Sequence, residues 1–570
     1  MLTARIAYFS MEIGLESAMP TYAGGLGGLA GDTLRAAADA AAPMVGVTLL
    51  HRNGYFWQSF DPHGNQRESP WVWEPEKFLK LMPHRVSVEL EGRRVFLQPW
   101  RYDVQGISGH TVPVYFLDSD LDENDLDARD LTTHLYGGDD RYRLKQEALL
   151  GIGGVTMLRA LGYRAIDTFH MNEGHAGLLS VALLDEMRRG DFGSEISPRH
   201  AEAIKAKCVF TTHTPVSAGH DQFDWGLVAS VLGPMNTKSL QGLRLIPADK
   251  LNMTSLAIRF SRYVNAVSMK HGEVSREMFP DVEVHHITNG VHAGTWASPY
   301  FDKPFDRYMN GWRRDNRILS NADEMPLDEL SEAHSAAKQK FLDSVAAETG
   351  KALRPDIFTI GFARRATPYK RADLLFSDIE RLRRIARSSG GLQIIYAGKA
   401  HPRDFGGKEI IKRVFDASQA LDGDVQVVYL TNHSMDLTRE MCAGVDIWLN
   451  TPEKPREASG TSGMKAALNG VPSLSTLDGW WVEGHVEGVT GWSIGNSAPE
   501  NNPVSEAEDL YQKLEHVILP MYYDSSDKYR QVMRAAIAMN GARFTAQNML
   551  EQYVDEAYRV HGQDKAASGF

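Results

Sequence analysis

Cysteine is scarce in this chain: Cys208 and Cys442 stand alone in 570 residues, far apart and with no CxxC spacing. That excludes a disulfide framework and a zinc knuckle, no metal site is expected, and the compartment reads as reducing. Long apolar runs are also missing. The richest stretch, 148–161, is interrupted by Gly151, Gly153, Gly154 and Arg159 and falls short of the roughly 18 residues needed to span a bilayer. Positive charge does not prevail either, with 61 Lys plus Arg against 73 Asp plus Glu and a net charge of −12. A nucleic-acid partner is therefore not expected, and neither is a membrane. The first ten residues lack a basic segment followed by an uninterrupted apolar one, so they read as an immediate strand rather than a secretion signal. A soluble, cytoplasmic protein is the expectation.

What is present is enough apolar material for more than one core. Hydrophobic residues make up 43% and charged residues 24% of the chain, and single cores stop growing near about 250 to 300 residues. Short apolar runs alternate with helical patterns, the pattern of parallel sheets covered by helices, so the expected class is α/β. In the first half the candidate strands are 4–11, 46–51, 208–212 and 282–287, with a hairpin at 86–98 and an Ala-rich helix at 34–42. Residues 299–355 read as helical and charged, a connector. Beyond Pro355 strands are expected at 357–363, 393–397, 425–430 and 446–449, and helices at 371–388, 408–420 and 437–442. The domain expectation is 1–300, a connector at 301–355, a doubly wound unit at 356–535, and a C-terminal helix and polar tail at 536–570 packing back on the first unit. Such sheets bind ligands beyond the carboxyl ends of their strands, so the loops there carry the candidate chemistry.

The segment 457–470, EASGTSGMKAALNG, is the most informative of these. Gly460, Thr461 and Ser462 open a helix with free N–H groups and hydroxyls at its positive end, which suits an anion. Lys465 follows about one turn later among Ala466, Ala467 and Leu468, surroundings that desolvate an amine and lower its pKa toward Schiff-base chemistry. An isolated lysine would read as a solvated helix residue. Beside an anion-binding turn it instead meets both needs of pyridoxal phosphate, an amine for the aldehyde and a nest for the phosphate. A second cluster, Arg364, Arg365, Lys370 and Arg371, places four cations within eight residues after the strand at 357–363. A glycine-rich turn, 24–31, precedes a helix expected from Thr33 and lets backbone approach an anion closely. His175 and His213 lie in the segments MNEGHA and TTHTP; each reads by itself as a satisfied buried histidine.

EASGTSGMKAALNG resembles the cofactor segment of the α-glucan (glycogen, starch and maltodextrin) phosphorylases, and the similarity runs from about Ile6 to Asn540. This resemblance implies a GT-B type fold, two Rossmann-like doubly wound domains facing a cleft, with pyridoxal 5′-phosphate on Lys465. It implies that Arg364, Thr461, Ser462, Gly25 and His433 contact the cofactor. Arg365 and Lys370 would hold the substrate phosphate, with the N–H groups of Gly25 and Leu26 facing the phosphates. His213, Asn289, Glu457, Ser459 and Gly460 would bind the glucosyl unit, and His175 would stand on the acceptor side. The family's better-known members have lysine where Arg364 stands and tyrosine where His433 stands. The segment 136–147 also resembles the family, with an expected structural role. The implied activity is reversible phosphorolysis of an α-1,4-glucan or maltooligosaccharide by inorganic phosphate from the non-reducing end, giving α-D-glucose 1-phosphate with retention. Lys465, Arg365, Lys370 and His213 are its catalytic candidates. The chain is shorter than the better-known members, which leads to the expectation of a catalytic core without their regulatory extension; a homodimer is also envisaged. The alternatives are a retaining nucleotide-sugar glucosyltransferase resembling glycogen synthase, which needs an acid where Lys465 stands, and an inactive glucan-binding protein. Aromatics in 56–73 and at Trp480 and Trp481 read either as sugar-stacking or as packed.

Overall fold

The structure is a computed structural model that describes residues 5–190, 198–243, 245, 249–496 and 501–559. It is a mixed α/β protein built on two large, mainly parallel sheets. Their strands are buried on both faces, which is why Thr359–Ala363 and Gln393–Ala397 are almost continuously apolar rather than alternating. Among the described residues no helix is long and apolar enough to cross a membrane.

The first sheet runs, in spatial order, Val284–His286, Tyr263–Ala266, Cys208–Thr211, Thr168–Asn172, Ile6–Ser10, Met44–Leu49 and Thr111–Asp118, all parallel. An antiparallel edge follows, Arg93–Gln105, which pairs with Val86–Leu90 and Lys80–Leu81. The direction of strand addition reverses between Ile6–Ser10 and Thr168–Asn172, where Ser10 lies opposite Asn172. A crevice beyond the carboxyl ends opens at such a reversal. Thr168–Asn172 has no counterpart among the strands read from the sequence, because Thr168, His170 and Asn172 interrupt its apolar pattern. Buried His170 is satisfied from far along the chain, by Tyr558 Oη at 2.7 Å and Thr211 Oγ1 at 2.8 Å.

The second sheet is wholly parallel, in the order Gln426–Leu430, Gln393–Ala397, Thr359–Ala363, Ile447–Asn450, Ser473–Thr476, Gly491–Ile494. Its reversal falls between Thr359–Ala363 and Ile447–Asn450. The segments that leave these two strands are 364–371 and 451–460, the same ones the sequence singles out for chemistry.

Two helices differ from the expectation. The helix read over 371–388 is confined to Ile379–Ser388, preceded by short 3-10 turns at Pro368–Lys370 and Leu374–Phe376. Arg371 breaks the run: its φ is +47°, and its guanidinium turns inward to Thr451 O at 2.8 Å, Pro452 O at 2.9 Å and Glu506 Oε2 at 2.5 Å. The helix expected from Thr33, with its Ala-rich stretch at 34–42, instead spans Gly25–Asp39, so the glycine turn is its first coil. Packing overrides the poor helix propensity of glycine here. A Cβ on Gly31 would stand 1.9 Å from Gly14 O.

One helix braces the second sheet, and two connections bring the sheets together. Helix Leu327–Thr349, ended by left-handed Gly350, buries Lys338 and His334 against Asp446. Helix Ala546–Gln552 and the turn Tyr553–Tyr558 return to pack Met549, Leu550 and Tyr553 with Ile6 and Tyr8; the polar tail after His561 lies outside the described residues. The hairpin formed by Trp57–Phe60 and Gln66–Ser69 reaches the second sheet. There Gln58 and Asn432 exchange hydrogen bonds, and Gln66 bonds both the N–H and the C=O of Ala400.

Candidate active site

Lys465 is the fifth residue of helix Thr461–Leu468. Its N-cap, Gly460, has φ 94°, a left-handed conformation that glycine adopts without strain, and no side chain caps the helix. Half-buried Ser462 accepts a hydrogen bond from Trp448 Nε1 at 3.2 Å, and Thr461 stands beside it. The Lys465 side chain is buried, and among the described residues Nζ has no hydrogen-bond or ion-pair partner. It lies 3.7 Å from the centroid of the Trp296 ring. A Cβ on Gly28 would be 3.7 Å from it, so the glycine-rich helix of the first sheet closes over the amine. Burial pulls the Lys465 pKa down, against the opposing charge of Asp32.

That glycine-rich helix also begins uncapped by any side chain of its own N-cap residue, Gly24. The two N–H groups just before it, Ala23 and Gly24, are taken by Glu12 Oε2 at 2.6 and 3.2 Å. Gly25 and Leu26 follow as its first two residues. Gly28 of this helix and Lys465 of helix Thr461–Leu468 bring the first turns of two helices, one from each sheet, close together.

The cationic cluster divides. Arg364 and Lys370 point inward and share one carboxylate: Arg364 Nη2 lies 2.9 and 2.8 Å from the two oxygens of Glu457, and Lys370 Nζ 2.5 Å from Oε2. Arg364 also donates to Asn450 Oδ1. Burial by itself would raise the Glu457 pKa, but the two cations hold it at about 2. Its backbone N–H donates to Asp478 Oδ2 at 2.8 Å; burial pushes Asp478 up to about 7. Arg365 instead is exposed and makes no hydrogen bond with a described residue; its charge acts on Tyr55 and His401. His433 accompanies the group from the far side, bonded to Thr438 Oγ1 at 2.8 Å, its pKa lowered to about 3 by burial and by the charges of Lys399 and Lys465.

The first sheet supplies neutral polar groups. His213 places Nε2 2.6 Å from Asn172 Oδ1, and its N–H donates to Glu173 Oε2 at 2.8 Å. Burial lowers its pKa to about 3, and the nearby imidazoles of His271, His170 and His175 further disfavour its charging. Glu173, at φ +75°, also accepts from Thr214 Oγ1 at 2.9 Å, and backbone held outside the common regions is often found at working sites. Asn289 and Ser459 are buried, and among the described residues Asn289 Oδ1 and Ser459 Oγ have no hydrogen-bond partner. His175 stands apart, its Nε2 3.2 Å from Asp221 and its ring 5.6 Å from that of Tyr136.

Glu12, Glu173, Asp32, Trp296 and Asp478 are not among the sequence candidates. A charged residue directly after a buried strand, as Glu12 follows Ile6–Ser10, is a usable signal; nothing local marks Trp296. The aromatic pair Trp480 and Trp481 is packed in the core, Trp480 with its ring 4.9 Å from Phe544, which removes it as a sugar platform. Phe56 is buried too, whereas Trp57 is exposed.

The sequence pattern of the family described as Carbohydrate phosphorylase matches residues 223–560. A maltodextrin phosphorylase of Thermococcus litoralis is 37% identical over 97% of this chain and 70% of its own length. A glycogen phosphorylase of Mycobacterium tuberculosis is 35% identical over 98% of this chain and 71% of its own. An uncharacterized protein of Methanocaldococcus jannaschii is 31% identical over 97% of this chain and 99% of its own. The resemblance carried by the segment around Lys465 is therefore borne out over nearly the whole length, and the chain belongs to the carbohydrate phosphorylase family.

Proposed function

We propose that the protein catalyses phosphorolysis of an α-1,4-glucan or maltooligosaccharide from its non-reducing end, releasing α-D-glucose 1-phosphate with retention. The observation that carries this reading is the buried amine of Lys465, about one turn into helix Thr461–Leu468 and beside Gly28 of the glycine-rich helix, without a hydrogen-bond or ion-pair partner among the described residues. A buried amine with no hydrogen-bonding partner is unfavourable unless something occupies its surroundings.

The residues fit pyridoxal 5′-phosphate: Lys465 to attach it, the opening turn at Gly460, Thr461 and Ser462 and the Gly25 turn for its anionic end, with Arg364 and His433 beside them. When bound, that group supplies a phosphate able to give and take a proton next to the substrate phosphate. Arg365, Lys370 and the N–H groups of Gly25 and Leu26 bind orthophosphate, and its oxygen forms the new bond to the sugar carbon as the glycosidic oxygen departs with a proton. Glu457 holds Arg364 and Lys370 in place before phosphate arrives. His213 stays neutral near pH 7, so it adds no positive charge beside the developing oxocarbenium. Asn289, Ser459, Gly460 and Glu457 take sugar hydroxyls, and His175 lies toward the acceptor. In this reading the two sheets are the cores of two Rossmann-like domains of GT-B type, residues 1–300 and 356–535, with 301–355 as connector and 536–570 returning to the first.

The test combines a spectrum with a product assay. The loaded protein should show a near-ultraviolet cofactor band, a borohydride-trapped adduct on the Lys465 peptide, and phosphate-dependent release of glucose 1-phosphate from maltodextrin; all three should vanish in Lys465→Ala. Nucleotide-sugar-dependent transfer without the adduct would favour a glucosyltransferase instead.

A further inference from the structure

The glycine turn is held from outside itself. Glu12 leaves the strand Ile6–Ser10 at the reversal point of the first sheet and is 3% exposed. One carboxylate oxygen accepts the N–H groups of Ala23 and Gly24; the other accepts the hydroxyl of Tyr136 at 2.8 Å. Tyr136, at φ +57°, is itself fixed between the Arg143 guanidinium, 5.0 Å from its ring centroid, and the His175 ring. The fit leaves no slack, because a Cβ on Gly27 would stand 2.8 Å from Glu12 Oε2 and 2.5 Å from Tyr22 Cβ.

We propose that Glu12 is the positioning residue of the glycine turn, occupying the N–H groups of Ala23 and Gly24 so that those of Gly25 and Leu26 are aimed at inorganic phosphate, with Tyr136 locking its rotamer. The inference rests on the phosphorolytic reading of the site. A helix start presents several unbonded N–H groups, and a ligand anion is centred on whichever are left. With the first pair claimed by an internal carboxylate, the anion is displaced one step along the helix, and it is kept off the Glu12 charge by the N–H groups between them. Without that claim the turn has several anion poses and no reason to prefer the productive one.

Glu12→Gln and Tyr136→Phe in the loaded enzyme test this. Glu12→Gln should raise the phosphate KM about tenfold or more, the range expected when a charged hydrogen-bond acceptor is lost, with the glucan KM and the cofactor band essentially unchanged. Tyr136→Phe, which removes one hydroxyl and keeps the ring, should move the phosphate KM the same way by a smaller factor. Inorganic phosphate alone should raise the Tm of the wild-type protein and do so less in both variants. An unchanged phosphate KM and an unchanged phosphate-induced Tm rise would overturn the proposal, and so would a rise in glucan KM alone, which would place Glu12 on the sugar. Absence of phosphorolysis in the wild type would sink the functional reading instead, and the phosphate-induced Tm rise would still decide the role of Glu12. A variant that fails to fold leaves the other to decide.

Discussion

Nζ of Lys465 faces the Trp296 ring at 3.7 Å, and Trp296 donates its indole N–H to both oxygens of Asp32, at 2.9 and 2.8 Å. The three residues come from distant parts of the chain and balance one amine: burial favours its neutral form, and the Asp32 charge favours the ammonium. Asp32→Asn removes the charge that favours the ammonium, so the Lys465 pKa falls further and the neutral, reactive form of the amine gains. Cofactor-free Asp32→Asn protein should capture pyridoxal phosphate faster than wild type, by about threefold or more, measured as borohydride-trapped adduct against time. Slower capture would show that Asp32 does not set the protonation of Lys465.

Glu457 is the single described carboxylate bonded to both Arg364 and Lys370. Glu457→Gln leaves two buried cations uncompensated, a loss of about 3–5 kcal/mol by comparison with other broken buried pairs. Denaturant titration should show the loss, and added inorganic phosphate should recover more stability in the variant than in wild type because an anion refills the vacancy. Equal stabilisation of both proteins would argue that these cations do not meet phosphate.

Among the described residues burial lowers five histidines furthest: His51 and His271 to about 4, and His170, His213 and His433 to about 3. Each takes up its proton in the unfolded chain near its ordinary value but resists it when folded. Between about pH 6.5 and the lowered values the unfolded state therefore binds more protons, and stability falls as pH falls, by up to ~1.4 kcal/mol per pH unit per histidine. Denaturation at pH 7, 6 and 5 should show this slope, and His170→Gln should make it shallower. A variant slope equal to the wild-type slope would mean that His170 protonates as readily folded as unfolded.

Asp446 accepts from Lys338 at 2.6 Å, from His334 at 3.0 Å and from the Thr359 N–H at 2.7 Å, tying helix Leu327–Thr349 to the edge of the second sheet's reversal point. Lys338→Met should cost about 3–5 kcal/mol of stability as a broken buried pair. Since Lys338 bonds Ile357 O and Asp446, which precede the strands whose following loops carry the clustered cations, KM values for phosphate and glucan should stay within error of wild type. A changed phosphate KM would show that the helix transmits strain to the site.

How much of the site is legible in sequence depends on how local each contact is. Lys465 and the turn ahead of it lie within one short helix, where spacing alone places an amine about one turn from unbonded N–H groups. The glycine turn was visible too, but its start at Gly25 was not, because the close approach of Gly31 to Gly14 O, which outweighs helix propensity, is a packing fact. Local sequence makes Arg371 helical for the converse reason: its inward hydrogen bonds to 451 and 452 lie about eighty residues away. Glu12, Trp296 and Asp32 gave no signal as partners of the site, since each acts through residues of another segment.

By itself the sequence determined the alternation of strand and helix, the absence of metal-type cysteine spacing, and the helix start with its lysine in segment 457–470, since all three depend on neighbours along the chain. Only the tertiary structure decided that Glu457 joins Arg364 to Lys370 and that the glycine helix of the first sheet closes over Lys465. Strand order is the physical reason: placing Thr359–Ala363 beside Ile447–Asn450 brings their following loops together, and no local preference encodes which strands become neighbours.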